Sequence, residues 1–183
     1  MKLTDEFKEV LRKRVQDYQG HAIGFRTDEV FIPSGKTARR EYITHPGAVG
    51  VLAIDQKGLM VLVKQYRYPI AQFTYEIPAG KLAKGEDPLH CVKRELEEEA
   101  GLRAKKIKKL VAYWPTAAFS QEVIHLFVAS DLTETPAHPD EDEFLELVRY
   151  TPQRIETMIR RGEIQDSKTL IAFFAWKSRY RPG

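Results

Sequence analysis

Three glutamates hold most of the chemical potential of this 183-residue sequence: Glu95, Glu98 and Glu99. Glu95 and Glu99 are four residues apart. On a helix they stand on one face, a turn from each other, with Glu98 beside them. Three carboxylates so placed repel one another. A hard divalent cation such as Mg²⁺ relieves that repulsion and prefers oxygen ligands. A bare Glu97-Glu98-Glu99 run is more often a solvated helix face. Here it sits inside a longer pattern of Gly80, Glu86, Arg94, Glu95, Leu96, Glu98, Glu99, Gly101 and Leu102, nine fixed positions in 23. Asp87-Pro88 reads as a helix start and Gly101 as its stop.

That pattern, G-x5-E-x7-R-E-U-x-E-E-x-G-U with U aliphatic, resembles the signature of the Nudix hydrolases, enzymes that cleave a nucleoside diphosphate linked to another group. The resemblance runs from about residue 20 to about residue 177. It is carried by Pro33-Ser34-Gly35-Lys36-Thr37, His45-Pro46-Gly47-Ala48-Val49, Val63-Lys64-Gln65-Tyr66-Arg67, Glu76-Ile77-Pro78-Ala79-Gly80, Phe119-Ser120-Gln121-Glu122 and Ala137 to Glu143. Within the family the sequence is most similar to the ADP-ribose pyrophosphatases. The likeness weakens around Pro115, where alanines 117 and 118 stand in place of an expected Ser-Pro-Gly ending.

The resemblance implies a site bound to Mg²⁺ or Mn²⁺. Glu95 and Glu99 are its first ligands, Glu98 contributes directly or through water, and the backbone carbonyl of Ala79 is a further ligand. Gly80 suits that arrangement because a missing side chain lets backbone approach an ion. By the same resemblance Arg94 pairs with a carboxylate and holds the ligand face in place. Glu86 either caps the helix or supports the ligands. A general base comes from the late acidic loop: Glu143 matches the family position, Glu141 is second, and Glu122 is a further candidate. Arg67 ends a strand and suits a charge-assisted fork to diphosphate oxygens. Glu76 is placed to accept from ribose hydroxyls, and Arg40 and Glu41 match positions that contact the nucleotide.

These residues need elements to position them. Ala22 to Ile32, a turn at 33 to 36, and Thr37 to Thr44 read as a hairpin. Ala48 to Ile54 and Leu59 to Arg67 form a second, and their near-continuous apolar runs suggest strands buried on both faces. Phe73 to Ile77, Lys106 to Tyr113, Val123 to Ala129 and Glu143 to Tyr150 are further strands, with an acidic loop over 131 to 142. Helices are expected from Pro88, from Pro152, and from an Asp166 or Ser167 cap. The spacing of Leu3, Phe7, Val10, Leu11 and Val15 is helical, whereas the family has a strand before residue 20. A short helix near 4 to 9 followed by a strand accommodates both. The fold class is therefore α/β, and the resemblance implies a Nudix-type α/β/α sandwich with a mixed β-sheet. A small β-rich N-terminal annex, residues 1–44, precedes a hydrolase domain, residues 45–183. In the resembled subgroup such an annex pairs two subunits, so a homodimer is implied.

Composition narrows the function classes. The chain is 43% hydrophobic and 30% charged, with net charge +3, as in ordinary globular proteins. No apolar run reaches the ~18 residues of a membrane span, and the polar N-terminus lacks a secretory signal. The single cysteine, Cys91, fits a reducing compartment. These features point to a cytoplasmic protein that uses neither membrane nor nucleic acid. The basic cluster Lys105, Lys106, Lys108 and Lys109 reads as a protected strand edge. The expected partner is a nucleoside diphosphate-linked small molecule: ADP-ribose first, then another ADP-sugar or GDP-mannose. A non-catalytic nucleotide-sensing module is the remaining alternative, and the complete glutamate set argues against it.

Overall fold

The computed structural model describes residues 5–138 and 144–180. The chain divides into two compact units, one comprising residues 1–46 and 114–122, the other residues 47–113 and 123–183.

The first unit is a three-stranded antiparallel sheet in the order β1 (Val10–Gln19), β2 (Gly24–Phe31), β3 (Thr37–Thr44). The helical spacing at the start yields a single 3₁₀ turn, Asp5–Phe7, and β1 then pairs with β2 along its whole length. Cross-strand ion pairs such as Arg14 Nε to Asp28 Oδ1 at 2.8 Å favour the strand over the helix. The segment 114–122 joins this unit by two backbone bonds: Ile43 N–H to Phe119 O and Gln121 N–H to Ile43 O. A linear cut at residue 44 could not reveal that return.

The second unit is built on a seven-stranded mixed sheet. Its main path is β10 (Glu146–Tyr150), β5 (Met60–Arg67), β4 (Ala48–Ile54), β9 (Ile124–Glu134), β8 (Leu102–Tyr113). β6 (Gln72–Glu76) pairs with β5, and β7 (Ala79–Lys81) pairs with β4. β4 and β9 run parallel; the other pairs are antiparallel. β4 and β5 send alternate side chains to two cores, as period-2 geometry requires. Val49, Val51, Ala53 and Val61 pack with Cys91, Val92 and Leu96 of α1 (Pro88–Ala100). Leu52, Met60 and Leu62 pack with Ile155 and Met158 of α2 (Pro152–Arg160) and Phe173 of α3 (Ser167–Tyr180). One helix thus covers one sheet face and two cover the other, which makes the expected sandwich.

Two strands extend past their expected bounds. β8 begins directly at Leu102, and β9 continues to Glu134 into the anticipated acidic loop. β7 has only three residues, too few for periodicity to reveal. The four lysines lie on β8, the terminal strand of the sheet path, where charge protects an edge. No helix among the described residues is long and apolar enough to cross a membrane.

Candidate active site

α1 carries the acidic face, and its ends are well defined. Asp87 accepts from the backbone N–H groups of Leu89 (2.9 Å) and His90 (3.2 Å), Pro88 starts the first turn, and Gly101 closes the helix at φ 59°. Capping therefore belongs to Asp87, while Glu86 accepts from the Ala83 N–H and from Arg94.

Glu95 and Glu99 are almost fully buried, 8% and 7% exposed. They face β7. The Ala79 N–H donates to Glu99 Oε2 at 2.9 Å. A Cβ placed on Gly80 would fall inside the Glu95 carboxylate, so a side chain here would displace that head group.

Arg94 gathers the other carboxylates. Its Nη1 lies 2.8 Å from Glu95 Oε1 and 2.8 Å from Glu98 Oε2. Its Nε and Nη2 reach Glu86 at 3.3 Å each. Burial works against the guanidinium charge, but Glu86, Glu95 and Glu98 outweigh it and raise the Arg94 pKa. The Arg94 bonds, with help from the Ala83 N–H, bring the Glu86 carboxyl down to about 2. Among the described residues no group of three His, Cys, Asp or Glu side chains is arranged to hold an ion; Arg94 bridges Glu95 and Glu98, while Glu99 accepts from β7. The donor chemistry suits a hard divalent cation: all candidate donors are oxygens, and two are buried carboxylates. Burial pushes the neighbouring Cys91 thiol up to about 12, so it stays a neutral packing group.

A second polar cluster lies in the same unit. Arg67 grips Glu76 with both arms of a fork, Nε to Oε1 at 2.8 Å and Nη2 to Oε2 at 2.6 Å. Thr74 Oγ1 donates to Glu76 Oε1 at 2.5 Å, and Lys168 Nζ donates to Oε2. Glu76 is 2% exposed, and these four bonds fill its acceptor sites. The expected role of Glu76 as an acceptor for ribose hydroxyls is thus replaced by that of an internal anchor. The Glu76 bonds chiefly raise the Arg67 pKa, and the charges of Asp166 and Glu99 add to the effect. Arg67 thus feels the charge of Glu99 on α1.

Burial by itself would raise the Glu76 carboxyl; Arg67, Lys168 and Thr74 overcome that and bring it down to about 2. In the unfolded chain it titrates near its ordinary value, about 4.3. Its contribution to stability is thus complete above that pH and is lost as pH falls through about 2, with a magnitude on the order of 3 kcal/mol. Glu76→Gln should therefore lower the thermal midpoint at pH 7 and flatten its fall between about pH 4.5 and 2. A variant whose acid profile matched wild type would remove Glu76 from this role.

Arg40 and Glu41 lie on β3 in the first unit, and Arg40 Nε donates to Glu9 Oε2 at 2.8 Å. Glu122 belongs to that unit too, with an oxygen 3.6 Å from His45 Nδ1. Glu143 and Glu141 lie outside the described residues. The last described residue before them, His138, donates its backbone N–H to Glu98 O at 3.0 Å. Sequence reasoning missed Lys168 and Thr169 as parts of this unit's polar framework. The one available signal was the Asp166 cap, which marks where that framework meets α3.

Comparison with known proteins follows the same lines. The NUDIX domain profile matches residues 44–173. The chain is 42% identical over 168 residues to a methanol dehydrogenase activator from Bacillus methanolicus, covering 91% of each chain. It is 41% identical over 159 residues to an ADP-ribose pyrophosphatase from Bacillus subtilis (strain 168), covering 86% of each. The fold superposes on the crystal structure of an ADP compounds hydrolase with TM-score 0.80 at 19% identity, spanning 95% of this chain and 97% of the other.

Proposed function

This chain belongs to the Nudix family, and from that premise we propose that it hydrolyses the diphosphate bond of ADP-ribose to AMP and ribose 5-phosphate. One observation carries the reading: two buried carboxylates a helical turn apart face β7, where the Glu95 carboxylate lies directly against Gly80. Glu95, Glu98, Glu99 and the Ala79 carbonyl are the oxygen donors for a divalent cation, Mg²⁺ or Mn²⁺. When bound, such an ion supplies charge neutralisation for phosphoryl oxygens and lowers the pKa of water.

The chain's own residues do the rest. Arg94 holds Glu86 and Glu98 and keeps the acidic face from spreading. Arg67, held by Glu76, binds the diphosphate oxygens. Glu143 takes the proton from the attacking water, with Glu141 as the next candidate. Arg40 and Glu41 serve the nucleotide end. The enzyme works in the cytoplasm as a homodimer paired through residues 1–44, a reading supported by the exposed Val10, Leu11, Val15 and Tyr18 of β1.

The test is a substrate panel of ADP-ribose, ADP-glucose, GDP-mannose, FAD and NADH with Mg²⁺ and products identified. ADP-ribose should give the highest kcat/KM, and Glu143→Gln should lower its kcat by about 10²-fold or more with metal affinity retained. A preference for GDP-mannose would reassign the substrate. An unaltered kcat in the variant would move the base to another glutamate. Similarity to a methanol dehydrogenase activator favours a second reading, activation of a methanol dehydrogenase. Adding the protein to such a dehydrogenase and finding no rate increase would eliminate it.

A further inference from the structure

We propose that Lys168, on the first turn of α3, is a positioning residue for Arg67: it fixes the Glu76 carboxylate, and that carboxylate orients the guanidinium toward a diphosphate. The inference rests on the reading of Arg67 as a diphosphate ligand. Lys168 has a side chain only 12% exposed, unusual for a lysine. Its Nζ donates to Glu76 and to Asp166 Oδ1, the latter at 2.9 Å. Asp166 Oδ2 in turn accepts from the Thr169 N–H at 2.9 Å and from Thr169 Oγ1 at 2.6 Å. Thr169 Oγ1 accepts from the Ile77 N–H at 2.9 Å. One helical turn thus pins two successive residues, Glu76 and Ile77.

Those pins lead in two directions. Through Glu76 they set the Nε and Nη2 edge of Arg67, while Nη1 makes no bond to Glu76. Through Ile77 they hold the backbone that continues to Ala79, whose N–H binds Glu99. Charge supports the same role. Two cations, Arg67 and Lys168, balance two carboxylates, Glu76 and Asp166. Without the lysine the cluster keeps an uncompensated negative charge, which disfavours an approaching diphosphate. Burial opposes the Lys168 charge, yet Asp166 and Glu76 outweigh it and its pKa is raised.

The experiment is a double-mutant cycle on Arg67→Met and Lys168→Met. It is read as KM and kcat for ADP-ribose and, by calorimetry, as the Kd of ADP, which has a diphosphate but is not the proposed substrate. Lys168→Met should raise KM and the ADP Kd about 10-fold or more, change kcat far less, and leave Mn²⁺ affinity as in wild type. Lys168→Arg should recover most of the loss. In the Arg67→Met background the lysine change should add little, because the two act as one unit. Should Lys168→Met fail to fold, the neutral pair Glu76→Gln with Lys168→Met removes both buried charges and should show the same weakened ADP binding.

Wild-type ADP affinity in the folded lysine variant or the neutral pair, or multiplicative effects around the cycle, overturns the inference. So does a wild-type protein that does not bind ADP. A wild type that binds ADP, shows the coupling, and leaves ADP-ribose uncleaved upholds the positioning role and rejects the ADP-ribose reading instead.

Discussion

Glu99→Gln should abolish measurable turnover of ADP-ribose, a loss of about 10³-fold or more, with the fold intact. The amide is nearly isosteric, and its carbonyl oxygen still accepts from the Ala79 N–H that Glu99 Oε2 accepts from at 2.9 Å. The substitution therefore removes a charge while keeping shape and bond. A carboxylate that is 7% exposed carries a large desolvation cost for its charge, which a bound divalent cation helps to offset. The check is kcat with Mg²⁺ and with Mn²⁺, together with calorimetric metal binding and a thermal melt. Full turnover by the variant would reject Glu99 as a ligand.

Gly80→Ala should be nearly as damaging. A Cβ at residue 80 lies inside the Glu95 carboxylate, so one of the two must move. The backbone resists, because Gly80 stands opposite Val49 in the β4–β7 pairing and its neighbour Ala79 is tied to Glu99. Glu95 must then swing away, against its contact with Arg94. A displacement of this kind, on the order of 1 Å, costs about 10²-fold in kcat/KM, and metal affinity should weaken in parallel. Calorimetry with Mn²⁺ reads the affinity independently of turnover. Wild-type affinity and rate in Gly80→Ala would mean that the cradle is looser than its geometry implies.

The two substitutions probe different layers of information. The motif spacing made Glu95 and Glu99 visible because helical periodicity maps sequence distance onto a face. Asp87-Pro88 and Gly101 were equally readable, since capping is local chemistry. The apolar runs of β4 and β5 disclosed strands buried on both sides because pleat alternation is local too. The N-terminal segment holds the short helical turn and the strand that its residues suggested, and β1 is completed by pairing with β2, a contact between residues that are distant in sequence. Glu76 also depends on a distant contact. Beside a Pro-Ala-Gly turn it looked like a substrate contact, and only the arrival of Lys168 from 92 residues away shows its oxygens to be filled.

Sequence alone therefore determined the family, the α/β layering, the helix that bears the acidic face and the identities of its carboxylates. All of these rest on patterns within about 25 residues, the range over which helix and strand periodicity hold. Tertiary structure decided which carboxylates are buried, that Arg94 bridges Glu86, Glu95 and Glu98, that the Glu95 carboxylate lies against Gly80, and that α3 anchors Arg67 through Glu76. Each of these depends on side chains brought together by chain closure over long separations, and hydrogen-bond valence and excluded volume act on atoms only once they meet.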